Sequence, residues 1–209
     1  MSEINFYNID NIEFMKTKPD NYYDLAIVDP PYGINMGFDG WDKKAKKAIN
    51  KQREKNWDNE TPTKEYFNEL MRVSKNQIIW GGNYFIEFLY NTTCFLSWDK
   101  MNGTNNMADF ELAWTSFGTA CRRFEMHHFS SGYEKKIHPT QKPTKLYRWQ
   151  LLKYAEKGNK ILDTHGGSMT IAKACDMEGF DLDICEIDAE YFKDGKKAFK
   201  EYKSQTKLF

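Results

Sequence analysis

The sequence predicts an α/β fold, a doubly wound and mostly parallel sheet with an antiparallel strand pair at one side. Three observations predict it: short apolar runs recur along the chain, helical stretches separate several of them, and polar residues gather where the runs end. Residues 25–28, LAIV, carry no polar side chain, as expected of a parallel strand buried on both faces. Similar runs at 77–80, 94–98, 160–163 and 182–187 predict four more strands. The stretch 63–74 places Tyr66, Phe67, Leu70 and Met71 on one helical face, and 143–156 opens on Pro143 and stops before Gly158. A short helix is expected at 11–15 and a final one at 189–203. Residues 109–117 differ, because Phe110, Leu112 and Trp114 alternate with Glu111, Ala113 and Thr115. That is the period of a strand with unlike faces, which supplies the antiparallel pair.

Composition narrows the function classes. A chain of 209 residues with 40% apolar content can bury one full core, so 1–209 reads as a single domain. Thirty basic and thirty acidic residues cancel, so a nucleic-acid partner must be argued from local patches. The four cysteines, Cys94, Cys121, Cys175 and Cys185, show neither a CxxC pair nor metal-ligand spacing. No metal site is expected, and the simplest location is a reducing cytoplasm, since the N-terminus has no apolar signal region. No apolar run approaches the roughly 20 residues that span a bilayer. One composition shift stands out within 34–62: KKAKKAINKQREK at 43–55 sets seven basic residues against Glu54 and reads as a basic insertion.

Two motifs carry chemistry. The first strand run ends in DPPY, Asp29 to Tyr32. Ligands of open α/β sheets bind at the carboxyl ends of strands, so these residues lie where a site is expected. Pro30 and Pro31 fix their φ angles, remove two N–H donors and bias the residues before them toward extended backbone. A rigid loop results that offers a carboxylate at Asp29, a carbonyl oxygen at Pro30 and a flat ring at Tyr32. A planar substrate with an exocyclic amino group would find both hydrogens accepted and its face stacked, as a nucleobase would. A turn covering the core is the plainer alternative.

The second motif is KILDTHGGSMTIAKACDMEGFDLDICEID, 160–188. A strand ending at Asp163 passes through Gly166 and Gly167 into a helix for which Ser168 is the expected cap, and a second strand ends near Glu186 and Asp188. This is one βαβ half of a nucleoside-binding fold, in which glycine admits the ligand and an acid accepts from ribose hydroxyls. The GxGxxG fingerprint is missing, which disfavours a nicotinamide oxidoreductase.

With these blocks in order, the chain resembles the permuted (β-class) DNA amino-methyltransferases, which act on adenine N6 or cytosine N4 and have a Rossmann-like methyltransferase fold. The resemblance rests on DPPY, IIWGGNYF at 78–85, SWDK at 97–100, ADFELAWTSF at 108–117, HPTQKP at 138–143 and the glycine turn, with the catalytic block before the cofactor block. It implies that Asp29 and the Pro30 carbonyl hold the target amino group while Tyr32 stacks on the flipped base. It also implies S-adenosyl-L-methionine as cofactor, lined by Asp29, Asp163, Thr164, His165, Gly167 and Ser168. Glu186 would hold its ribose, Asp10 would lie near its adenine edge, and Thr140 and Lys142 would close over the methionine part, Lys142 meeting the carboxylate. Two residues have local alternatives: Asp10 would cap helix 11–15, and Thr140 the helix from Pro143. The family's DPFxGSG reads DTHGGSM here, with His165 in place of Phe and Met169 in place of the second glycine.

The resemblance implies methyl transfer to DNA without a covalent enzyme intermediate, most simply at adenine N6, since Asp rather than Ser stands at position 29. Alternatives are cytosine N4, an RNA or protein-amide methyltransferase, and a non-catalytic DNA-binding descendant. Phosphate contacts are expected from Lys43, Lys44, Lys46, Lys47, Lys51 and Arg53, with Arg122, Arg123, Lys135 and Lys136. Residues 118–137 are the candidate target-recognition segment, short enough to call for few bases or a second subunit in a homodimer. The tail at 204–209, SQTKLF, places Gln205, Leu208 and Phe209 at the spacing of peptides that bind the bacterial sliding clamp. Folding back on the last helix is the alternative for this tail.

Overall fold

The computed structural model describes residues 2–34, 61–103, 108–127, 137–138 and 140–206. Their strands form one eight-stranded sheet: β1 (Ile4–Tyr7), β2 (Tyr23–Val28), β3 (Ser74–Trp80), β4 (Phe95–Asp99), β5 (Phe110–Thr115), β6 (Arg122–Glu125), β7 (Lys160–Asp163) and β8 (Asp181–Cys185). The helices are α1 (Asn11–Lys16), α2 (Lys64–Val73), α3 (Thr144–Tyr154), α4 (Thr170–Glu178) and α5 (Ala189–Thr206). The spatial order is β1-β8-β7-β2-β3-β5-β4-β6, and β5 alone runs antiparallel to its neighbours β3 and β4. The alternating stretch at 109–117 is therefore the reversed strand that its pattern predicts. Among the described residues no helix is long and apolar enough to cross a membrane.

The all-apolar strands are explained by two cores. Leu25 and Ile27 of β2 with Ile78 and Trp80 of β3 face one layer, where Leu146 and Leu151 of α3 and Ile171 and Cys175 of α4 pack. Ala26, Val28 and Ile79 face the other, against Phe14 and Met15 of α1 and Tyr66, Phe67 and Leu70 of α2. Successive side chains of a strand point to opposite faces, so a strand covered on both sides must be apolar throughout. Arg72 ties α1 to α2 by donating to the carbonyl oxygens of Met15 (2.9 Å) and Lys18 (2.9 Å) at the end of α1.

The winding reverses between β7 and β2. From β7 the chain crosses through α4 to β8 on one side, and from β2 through α2 to β3 on the other. The loops leaving β2 and β7 thus diverge at the carboxyl edge and leave a crevice between them, the place where such sheets bind ligands.

Several local expectations need correction. Helix α4 starts from Met169 in the left-handed conformation (φ 54°, ψ 29°), and Ser168, expected as its cap, instead has its hydroxyl 2.8 Å from that of Thr170. Thr140 does not cap α3, whose N-cap position is Pro143. Helix α5 runs to Thr206, so residues 204–206 of the expected tail, Gln205 included, are helical; Ser204 bonds back to the Glu201 carbonyl (2.7 Å). Leu208 and Phe209 lie outside the described residues, as do Lys43, Lys44, Lys46, Lys47, Lys51, Arg53, Lys135 and Lys136.

Candidate active site

A cavity of about 600 Å³ opens in the crevice between the β2 and β7 loops. That is the size class of small-ligand and cofactor sites. Of the expected site residues, Asp29, Pro31, Thr140, Lys142, His165, Gly167, Ser168 and Glu186 line it. Pro30, Tyr32, Asp163 and Thr164 are not among its lining residues, and Pro30, Asp163 and Thr164 are buried. Asp10 is spent at least in part on capping α1, its Oδ1 accepting from the N–H groups of Ile12 (2.9 Å) and Glu13 (3.0 Å). The neighbouring Asn11 lines the cavity instead.

The β7 side is built from backbone. Glu186, just past β8, accepts the Gly167 N–H at Oε2 (2.7 Å) and the Asp188 N–H at Oε1 (2.8 Å), which fixes its carboxylate against the glycine turn. Gly167 sits at φ +46°, and a Cβ there would lie 3.6 Å from the His138 ring, so the segment before α3 closes directly over the turn. His138 is held there by the Thr140 hydroxyl (3.1 Å from Nδ1) and by the ring of Tyr191 (4.5 Å between centroids). Met169 does not line the cavity. Its thioether is buried against Gly195 of α5, where an added Cβ would meet the sulfur at 2.7 Å.

His165 takes the family's phenylalanine position with a set of partners of its own. Asn11 Nδ2 is 3.0 Å from its Nε2, and Thr164 Oγ1, itself 2.7 Å from the Tyr66 hydroxyl, is 2.9 Å from its Nδ1. An amide nitrogen only donates, so Nε2 accepts and Nδ1 carries the proton. Burial lowers the imidazole pKa to about 4, so the ring is neutral at pH 7. Burial also pushes the Asp163 carboxyl up to about 8, against the bond it accepts from the His165 N–H (2.9 Å).

The β2 side is built from charge. Asp29 accepts from the Tyr32 hydroxyl at Oδ1 (2.7 Å) and pairs with Lys142 at Oδ2 (2.5 Å). Lys142, its side chain 1% exposed, also reaches Glu111 Oε2 (3.2 Å), and Lys100 holds Glu111 Oε1 (2.5 Å). Burial raises the Asp29 carboxyl despite Lys142. Burial opposes the charge of Lys142, yet Asp29 and Glu111 together raise its pKa and keep it cationic. Burial likewise works against Glu111, but Lys142 and Lys100 outweigh it and lower the carboxyl.

Tyr32 is positioned by the IIWGGNYF block. Its ring stacks on Tyr84 (5.0 Å, 14°) and meets Phe85 edge-on (6.2 Å). Gly81, at φ +69°, passes so close that a Cβ would lie 2.2 Å from Tyr32 Cε1. Glycine is required there both by conformation and by space.

Arg122 and Arg123 are not brought to this site. Both lie on the edge strand β6, four places from β2 in the sheet order, and Arg123 pairs with Asp99 and Glu125. Sequence reasoning missed Asn11, Lys100, Tyr84, Glu111 and His138 as site residues. Glu111 did carry a signal, as the lone charged residue of strand β5.

Comparison with known proteins agrees with this fold. The DNA methylase model for N6/N4 methyltransferases matches residues 45–197. No curated protein sequence matches the chain. Among solved structures, M1.HpyAVI in complex with SAM superposes with a TM-score of 0.63 at 21% identity, covering 94% of this chain and 98% of that one. The cytosine-N4-specific PvuII DNA methyltransferase gives 0.62 at 15% identity, over 95% and 87%. TTHA0409 of Thermus thermophilus, complexed with S-adenosyl-L-methionine, gives 0.59 at 14% identity, over 95% of each.

Proposed function

This chain belongs to the DNA methylase family, and on that premise we propose that it methylates the exocyclic amino group of a base flipped out of DNA, adenine N6 in the first instance. One observation carries the reading: the Asp29 loop and the glycine turn before α4 face each other across one cavity. The residues present fit S-adenosyl-L-methionine. Glu186 is a carboxylate held in place by two amide donors, as binding of a ribose diol requires, and the glycine turn leaves the backbone approachable. Asn11 and His165 border the cavity beside Glu186 and suit the adenine end. Lys142 lies at Asp29 and serves the acceptor carboxylate to which it is already paired, while Thr140 holds His138 over the glycine turn.

The bound cofactor would supply an electrophilic methyl group on its sulfonium. The remaining work falls to this chain. An aromatic amino group is a poor nucleophile because its lone pair is delocalised into the ring. Asp29 and the Pro30 carbonyl accept its two hydrogens, localise that pair and stabilise positive charge as it develops on nitrogen. Methylation leaves the amino nitrogen with a proton to lose, and Asp29 is the base placed to take it. Tyr32 returns part of the unstacking cost of about a few kcal/mol by stacking on the extruded base. DNA contacts are assigned to the basic residues of 34–62, and target recognition to 118–137.

Transfer of tritiated methyl to mixed-sequence duplex DNA, with RNA and protein as parallel acceptors, followed by nucleoside analysis, tests the proposal. N6-methyladenine is expected. N4-methylcytosine would overturn the base assignment, and labelling of RNA or protein alone would overturn the substrate.

A further inference from the structure

Beyond the groups that would touch substrate or cofactor, the site contains a chain of four alternating charges: Asp29, Lys142, Glu111 and Lys100, with contacts of 2.5, 3.2 and 2.5 Å. They come from four separate places, the loop after β2, the segment before α3, strand β5 and the end of β4. Withdrawing that many charges from water is costly unless each is paired, and a surface ion pair would give the same connectivity more cheaply. The arrangement therefore needs a reason.

We propose that Glu111 is a positioning residue for methyl transfer: by sharing the Lys142 ammonium with Asp29, it lets Lys142 orient the Asp29 carboxylate without neutralising it. The inference rests on the reading that Asp29 accepts the target amino group. A lysine paired with Asp29 alone would bring a full positive charge beside the atom on which positive charge develops, and would work against transfer. Glu111 supplies the compensating negative charge from the far side of the ammonium. Lys100 fixes its other oxygen, so that Glu111 does not move onto Lys142 entirely. Lys142 also lies 5.2 Å from the Trp80 ring centroid and 3.3 Å from the Tyr32 hydroxyl, which leaves it little freedom to choose other partners.

The charged and titratable groups around Asp29 make the test specific. They are Tyr32 on its own loop, Lys142 before α3, Tyr147 on α3, Glu111 on β5, Asp163 at the end of β7 and Tyr66 on α2. Glu111 raises the Asp29 carboxyl, so its neutralisation must lower it.

The experiment compares wild type with Glu111→Gln, Lys142→Met and the double variant, using S-adenosylmethionine and mixed-sequence duplex DNA. For Glu111→Gln we expect kcat to fall on the order of 10- to 100-fold. The acid limb of its pH profile should move to lower pH, while the Kd for S-adenosylhomocysteine stays within about twofold. The double variant should be no worse than Lys142→Met, because Glu111 acts through that lysine. An unmoved acid limb, an unchanged kcat or additive losses would overturn the role of Glu111. Should Glu111→Gln fail to fold, Glu111→Asp must shift the limb the same way by less, and no shift overturns the proposal. Asp29→Asn separates the two ideas: full activity there would remove the underlying reading, whereas an inactive Asp29→Asn with a normal Glu111→Gln removes only Glu111.

Discussion

The two walls of the cavity are held by different physics. On the β7 wall, backbone amides fix the side chains: Gly167 and Asp188 hold Glu186, and the His165 N–H holds Asp163. On the β2 wall, side chains from distant elements fix one another by charge, Asp29 through Lys142 to Glu111. A backbone-held carboxylate keeps its geometry whatever its neighbours' protonation states. A charge-held one is tuned by them. For the reaction proposed above, that difference suits one wall to binding a cofactor and the other to responding to charge that appears in a transition state.

The two walls should separate most widely at Asp29. Asp29→Asn should lower kcat by roughly 10²- to 10³-fold, the usual cost of losing a group aimed at developing charge, and leave S-adenosylhomocysteine binding nearly unchanged. A parallel loss in both would mean that the two walls are not separable. Glu186→Ala should do the reverse. Its Kd for S-adenosylhomocysteine should rise about 10- to 100-fold, as expected for charge-assisted hydrogen bonds, with kcat at saturating cofactor nearly retained. Calorimetry and steady-state kinetics on the same two variants give the crossed pattern or refute it.

A smaller effect is expected at Tyr32 on the β2 wall. Tyr32→Phe removes the 2.7 Å bond to Asp29 but keeps the ring, so kcat should fall only about 2- to 10-fold, equally on duplex and on mismatched targets. Tyr32→Ala should harm duplex more than mismatched DNA, because stacking on the flipped base is then lost as well. Equal losses from Tyr32→Ala on the two substrates would remove the stacking role.

The smallest predicted effect is on stability. Burial raises the Asp163 carboxyl from 3.8 to about 8, so the folded state holds a proton that the unfolded chain releases above about pH 4. Its stabilising contribution is complete below 3.8 and is lost as pH rises through 8. Burial lowers His165 from 6.5 to about 4, which has the opposite sign: stability grows between pH 4 and 6.5. The two offset each other in that interval and leave a net decline between 6.5 and 8. Asp163→Asn should flatten that decline in a series of melting curves, and an unchanged slope would refute the buried, protonated carboxyl.

What the sequence revealed follows the same division. Strands β2, β3 and β7 were legible because burial on both faces forces apolar runs, and the glycine turn and Glu186 were legible because their contacts are local to one βαβ unit. Strands β1 and β6 were not. INFY is half-buried throughout, and RRFE is an edge strand with two exposed arginines, so neither has the apolar continuity of a central strand. The cap of α4 was misplaced because only tertiary packing, Met169 against Gly195, explains a non-glycine residue at positive φ. The β2 wall was half legible. DPPY announced Asp29 and Tyr32, but nothing local says that a lysine 110 positions beyond Tyr32 reaches back to them, or that Glu111 meets it there.

The pairing of β1 with β8 has a consequence for how the protein comes into being. Glu3 and Asp181, 178 positions apart, hydrogen-bond to each other, so the strand made first stays without its sheet neighbour until the strand made nearly last appears. At synthesis rates of about 5–20 residues per second, that wait is roughly 10–40 s. Through it, β1 cannot add its edge to the sheet. A ribosome stalled before β8 would therefore carry a chain with its Asp29 loop made and the Glu186 side of the cavity still missing.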